Sequence, residues 1–295
     1  MTKSTVYFTK DITASGLQKI YEALNCKLRG NVAVKISTGE PGGHNFLNPK
    51  LIQPLVNYIN GTIVECCTAY RGKRFNVNEH YKAIKDHGFA DIAPCDILDE
   101  FGEIKIAVNG GKHLKGYNIV GEKIQKYNSM LVLSHFKGHQ MAGMGGALKN
   151  MSIGLASKNG KAWIHSWGNT CEPNKLWDFV ANQNAFLESM AEACKGVVDY
   201  LKPQNIVYIN VANNLSVDCD CNSNPAKPQM ADIGIFASLD PVALDQACYD
   251  AVINCADTGK HALIERMTSK NAIHIVEEAE RLGLGNRKYN LVVID

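Results

Sequence analysis

The sequence predicts an α/β fold, a mainly parallel or mixed sheet covered by helices. Three observations predict it. Short β-rich runs alternate with amphipathic stretches, and alternation on this scale requires crossover connections. Several strand candidates, Met130-Leu131-Val132-Leu133 above all, are continuous apolar runs, the pattern of strands buried on both faces. Polar, glycine-rich or cysteine-rich segments repeatedly follow these strands, and such sheets carry their sites beyond the carboxyl ends of the strands.

In order, Val6-Tyr7-Phe8 reads as a strand, and Leu17 to Leu24 has the apolar spacing of a helix. Val32 to Ile36 is a buried strand, Pro49 to Ile59 a helix, Thr62 to Cys67 a strand, and Asn78 to His87 a helix. Met130 to Ser134 is the strongest strand, and Asn174 to Leu201 the longest helical segment. Asn205 to Val211, Asp232 to Ala237 and Leu291 to Ile294 complete the strands, with helices at Pro241 to Ile253 and Asn271 to Leu282. No internal repeat or low-complexity tract appears. Residues 1–295 read as one core, and 170–200 is the place for a boundary if two closely joined lobes are present.

Composition narrows the class. Of 295 residues, 45% are hydrophobic and 20% charged, an ordinary globular profile. Lys and Arg number 31 against 29 Asp and Glu, a net charge of +2, so charge gives no reason to expect nucleic acid or a membrane. The stretch from Met1 to Asp11 lacks the apolar core of a signal peptide, and the expected location is the cytoplasm. In that reducing setting the ten cysteines are expected to be mostly thiols. Cys26, Cys194, Cys248 and Cys255 sit in apolar or helical contexts and read as packing residues. Cys66 and Cys67 end a strand and must point to opposite faces, with Cys66 assigned to the core.

Two segments carry the candidate chemistry. From Ser134 to Asn150 the chain gathers His135, Lys137, His139, Gly143, Gly145, Gly146 and Lys149. The glycines argue for a loop, then a helix starting near Gly146. Backbone N–H groups at a helix start attract anions. This segment therefore reads as imidazole acid–base or ligand chemistry (His135, His139, Lys149) beside a cradle for an anionic substrate or cofactor (Lys137, Gly143, Gly145, Gly146). The second segment is Asp218-Cys219-Asp220-Cys221. Its thiols suit iron, an iron–sulfur cluster or another transition metal, and a redox disulfide is the competing reading. Thr38 to His44 could cap the same crevice, and Tyr70 to Phe75 interleaves basic and aromatic residues that could meet an anion. His80, His87, His261 and His274 read as solvated helix faces. No dinucleotide fingerprint, Walker loop, serine nucleophile elbow or His-Glu-x-x-His run is present.

The segments Val34-Lys35-Ile36 with Gly39-Glu40-Pro41-Gly42, Ser134 to His139, Gly145 to Asn150, Asp218 to Cys221, and Asp232 to Ser238 running into Asp240 to Ala247 occur in one order over nearly the whole chain. In these the chain resembles the prokaryotic family called domain of unknown function 362. The resemblance implies an iron–sulfur association, because many members carry a ferredoxin-like insert after the Gly-Gly-Ala-Leu-Lys-Asn segment. Only Ser166 to Pro173 separates His165 from Asn174 here, so that insert is missing. The histidine–glycine–lysine arrangement is also similar to a loop of nickel-pincer lactate racemases, whose chemistry sets two histidines as acid and base around a lysine-tethered cofactor. The expectation is a metal-site or iron–sulfur-linked redox enzyme with an electron-transfer partner. The alternatives are an isomerase or racemase that shuttles a proton between histidines, and a non-catalytic metal-binding module.

Overall fold

The computed structural model describes residues 3–179 and 181–295; residues 1 and 2 of the N-terminal stretch and residue 180 of the 174–201 segment lie outside the described residues. The chain runs β1 (Ser4–Thr9), α1 (Ala14–Ala23), β2 (Val32–Lys35), α2 (Pro49–Tyr58), β3 (Gly61–Glu65), α3 (Val77–Asp86), β4 (Cys95–Ile97), β5 (Glu103–Ala107) and β6 (Tyr117–Gly121). It continues with β7 (Ser129–His135), β8 (Lys137–His139), β9 (Gly143–Gly145), α4 (Ala147–Leu155), α5 (Lys158–His165), α6 (Gln183–Leu201) and β10 (Ile206–Ala212). Then come β11 (Gly234–Ser238), α7 (Pro241–Asn254), α8 (His261–Ser269), α9 (His274–Arg281) and β12 (Tyr289–Val293).

Eight strands form the central sheet in the order β12-β1-β11-β10-β7-β2-β3-β4. Only β11 runs against its neighbours, so the sheet is mixed but mainly parallel. Apolar residues on alternate strand positions feed two cores. Ala33, Val64, Met130, Val132 and Tyr208 pack on one face, while Val34, Ile63, Leu131, Leu133 and Ile209 pack on the other. This is the two-sided burial that continuous apolar strands require. Cys66 joins the first core and Cys67 the second, on opposite faces as strand geometry demands. Among the described residues no helix is long and apolar enough to cross a membrane.

From β2 the chain moves outward through β3 to β4, then returns to lay β7 on the other side of β2 and proceeds to β10. The connections therefore reverse direction between β2 and β7, and a crevice opens beyond the carboxyl ends of those two strands. Side-chain caps fix the helices around it. Thr13 starts α1, Asn48 starts α2, and Asp240 accepts from Val242 and Ala243 to start α7; each such cap is worth about 1 kcal/mol. The long helix expected over 174–201 begins only at Gln183, because the Asn182 side chain caps it by accepting from the Ala185 N–H. The residues before it, Pro173–Phe179, form a separate 3₁₀ segment.

Candidate functional site

Three segments that follow strands meet at the crevice. The Phe136 N–H donates to Val211 O at 2.9 Å and the Gly138 N–H to Ser216 O at 2.8 Å, which ties the end of β7 to the loop after β10. A Cβ on Gly138 would sit 2.3 Å from Val217 O, so only glycine permits this approach. The Glu40 N–H donates to Asp220 O at 2.7 Å and brings in the loop after β2. The expected convergence of the histidine–glycine and Cys-Asp-Cys segments is thus present.

Asp220 organises the junction. Its Oδ1 lies 2.9 Å from His135 Nδ1, and Lys137 Nζ donates to its Oδ2 at 2.7 Å. The other ring nitrogen of His135 lies 2.6 Å from Asn213 O. Both ring nitrogens of His135 are thus engaged by acceptor groups. Burial works against the Asp220 carboxylate, but Lys137 and His135 outweigh it and hold the group well below the usual carboxylate range. His135 and Lys137 are therefore consumed by this ion cluster.

Beyond the cluster lies a cavity of about 320 Å³. His139, Lys149 and His165 line it, together with Lys35, Glu65, Arg74 and Lys161. The Nδ1 of His139 accepts the Met141 and Ala142 N–H groups at 3.2 and 2.9 Å. The neutral ring then carries its proton on Nε2. Burial, then the charges of Lys149, His165 and Lys137, hold its pKa well below the ordinary value. His165 has the opposite tautomer. Its Nδ1 lies 2.6 Å from Lys161 O, which leaves Nε2 as an acceptor, and burial with the nearby lysines brings it to about 4. Lys149 extends from α4, and no group among the described residues bonds its Nζ. Burial, reinforced by Lys137, Lys35 and Arg74 and opposed by Asp220, lowers it to about 7.

The opposite wall is a second ion cluster. Lys35 Nζ donates to Glu65 Oε2 at 3.0 Å, and the Thr38 N–H donates to Glu65 Oε1 at 2.8 Å. Arg74 Nε donates to Glu40 at 2.8 Å, and Tyr70 OH donates to the same oxygen. Burial penalises the Glu65 carboxylate, but Lys35, His80 and Arg74 keep it down at about 2. The lining thus sets Lys35, Lys137, Lys149, Lys161 and Arg74 against Glu65, with Glu40 and Asp220 behind it as partners of Arg74 and Lys137, an excess of basic groups.

Cys219 and Cys221 reach the cavity mouth joined as a disulfide, and a ring nitrogen of His139 lies with both sulfurs inside a 4.8 Å group. Once reduced, these donors fit one soft or borderline ion with an open position. They do not fit a cluster that takes four thiolates, since Cys66 is the one further cysteine among the described lining residues. Cys66, assigned to the core by sequence, faces the cavity as well, and Cys67 does not.

The glycines divide between packing and the cavity wall. Gly143 has φ +77° and lies against Ala272 and Lys270, while Gly145 and Gly146 line the cavity floor. The N–H groups expected to cradle an anion at the start of α4 are already taken. Ala147 and Leu148 donate to the Asp245 carboxylate of α7 at 2.8 and 2.9 Å. His80 also departs from expectation, since it is fully buried and neither ring nitrogen has a partner.

Sequence reasoning passed over Lys35, Glu65 and His165. The first two sit near the ends of strands read as plain core, and their charge in an apolar run was the available signal. His165 ends an eight-residue helix and gave none.

The family model described as "Domain of unknown function (DUF362)" matches residues 32–250. Comparison with curated proteins finds no match. Among solved structures, the chain is similar to the lactate racemase apoprotein from Thermoanaerobacterium thermosaccharolyticum, at 14% identity and a TM-score of 0.49, over 83% of this chain and 56% of that one. It is also similar to a protein from Thermotoga maritima, at 14% identity and a TM-score of 0.45, over 81% and 57% of the two chains. This chain therefore spans little more than half the length of either structure.

Proposed function

Since the chain belongs to the DUF362 family, and the family name assigns no reaction, we propose from its site that it is an enzyme of acid–base type that binds a small anionic molecule and moves a proton within it. One observation carries the reading. Three titratable groups with a free valence, His139, His165 and Lys149, face one cation-rich cavity, and each is shifted toward its neutral form. The shift of Lys149 to about 7 suits proton transfer near neutral pH, the two neutral rings offer a donor and an acceptor beside it, and the surplus cations supply the attraction for a carboxylate or phosphate. His139 presents an N–H and His165 a lone pair, so the two rings are a donor and an acceptor rather than two equivalent bases. His135, expected to share this work, serves as a positioning residue through Asp220.

The test is deuterium exchange from solvent into a panel of small 2-hydroxy and 2-oxo carboxylates, followed by NMR. Wild type should exchange at least one of them. His139→Gln and His165→Gln should each lower the rate by about 10²-fold or more, the usual share of a positioned acid or base. If no member of the panel exchanges or raises the melting temperature, the reading fails.

A second reading, a metal-binding redox protein with an electron-transfer partner, is favoured by the His139, Cys219 and Cys221 group. It requires reduced thiols. With Nδ1 engaged, ligation through Nε2 also requires the ring to give up its remaining proton. Anaerobic reduction followed by cobalt titration separates the readings. A thiolate charge-transfer band, lost in Cys219→Ser and Cys221→Ser but kept in Cys248→Ser, would support the metal. Absence of the band would remove it.

A further inference from the structure

We propose that Lys149 is a covalent nucleophile whose amine condenses with the carbonyl group of a small aldehyde or ketone bearing a carboxylate, and holds it in the cavity as an imine. This rests on the reading that the cavity takes a small anionic molecule, and it gives that molecule a second required group.

The lysines of the cavity are not alike. Lys35 is paired with Glu65, Lys137 with Asp220, and Lys161 Nζ donates to Ala156 O. Only Lys149, among the described lysines of the lining, leaves its amine without a partner. Its backbone is held firmly, because the next residue, Asn150, donates to Lys35 O, Leu133 O and Ser134 Oγ and so stitches α4 to the ends of β2 and β7. A desolvated amine among other cations keeps much of its population as the free base, the form that attacks carbonyls. At about 7 the Lys149 amine meets that condition. A volume of about 320 Å³ suits a small ligand rather than a nucleotide.

The step balances without any oxidant. The Lys149 nitrogen pair forms a bond to the carbonyl carbon, and the C=O π-bond breaks onto oxygen, which takes the first of the two nitrogen protons by way of His165 Nε2; the second follows the same route in the next step. The His139 N–H supports the developing charge on that oxygen. His165 Nε2 accepts a proton from the nitrogen and passes it to the hydroxyl. The C–O bond then breaks, water leaves, and the nitrogen pair closes the C=N bond. Amine and carbonyl give imine and water. The cationic walls hold the carboxylate.

The full-length protein is incubated with pyruvate or glyoxylate and cyanoborohydride, and the products are read by intact mass and peptide mapping. We expect one adduct, at Lys149, with a labelling rate that rises through about pH 7. Lys149→Arg, which keeps the charge, and Lys149→Met should both lose it, while Lys175→Arg on the surface keeps it. Circular dichroism of each variant checks its fold. Adducts spread evenly over surface lysines, or an adduct that survives Lys149→Arg, would overturn the imine. If no adduct forms while pyruvate still raises the melting temperature, the imine is wrong and the acid–base reading stands. If pyruvate, glyoxylate and the wider carboxylate panel all fail to bind or exchange, both fall together.

Discussion

Asp220→Ala should destabilise the protein by about 3–5 kcal/mol, because it strands the buried Lys137 ammonium and leaves His135 Nδ1 without its partner. Urea unfolding at pH 7 measures it, and a loss under about 1 kcal/mol would mean that the two groups find water or another partner. The same carboxylate shapes the acid response. Its folded pKa is depressed below the ordinary 3.8, so its stabilisation is present above that value and is lost as pH falls through the folded value. Glu65, lowered from 4.5 to about 2, acts in the same direction. His165, lowered from 6.5 to about 4, adds to the loss, because below pH 6.5 the unfolded chain takes a proton that the buried ring refuses. Stability should therefore fall progressively from about pH 6.5 downward. Asp220→Ala should flatten the most acidic part of that curve.

Asp245→Ala is expected to cost about 3 kcal/mol or more. The carboxylate accepts from Ala147 N, Leu148 N and Asn210 Nδ2 at 2.8, 2.9 and 2.7 Å, and its removal leaves three buried donors unpaired at about 1–3 kcal/mol each before relaxation. The pH signature has the opposite sign. Burial pushes Asp245 up to about 6 against those three donors, so its contribution is fullest below pH 3.8 and is lost as pH rises through about 6. Removing it should shift the pH of maximal stability upward. Acetate should restore part of the loss by entering the vacated helix start, and a variant indifferent to acetate would show that the gap has closed by repacking.

The frame of the fold was legible because burial on both sheet faces forces apolar runs. β2, β7, β10 and α7 fall within a residue or two of their expected bounds. What was hidden has local causes. Glycine disfavours a helix interior, yet Gly160 lies inside α5, where a Cβ would sit 1.9 Å from Ile119 O. β4 has three residues, β5 alternates charged and apolar residues, and α8 is a nine-residue helix with no side-chain cap. At the site, His139, Lys149, Cys219 and Cys221 were named from post-strand position and residue type. Two facts lay beyond that reasoning. No local pattern reveals that Asp245, nearly a hundred positions away, fills the expected anion cradle, or that both nitrogens of His135 are engaged. Long-range partners decide which polar groups remain free, and periodicity carries no information about them.

The position of β1 has a consequence for biosynthesis. It precedes every other strand of the sheet in sequence, yet it lies between β11 and β12, with Tyr7 opposite Ala237 and Phe8 opposite Val293. Neither neighbour exists until the residues between Thr9 and Gly234 have been made. The five parallel strands β4-β3-β2-β7-β10 can gather around their own helices as they emerge. The strand Ser4–Thr9 must wait unpaired, with Val6 and Phe8 in need of a partner. Such long-separation pairings form slowly. β1 therefore stays unpaired for as long as the residues between it and β11 are being made, and the sheet closes around it only when β11 and β12 arrive.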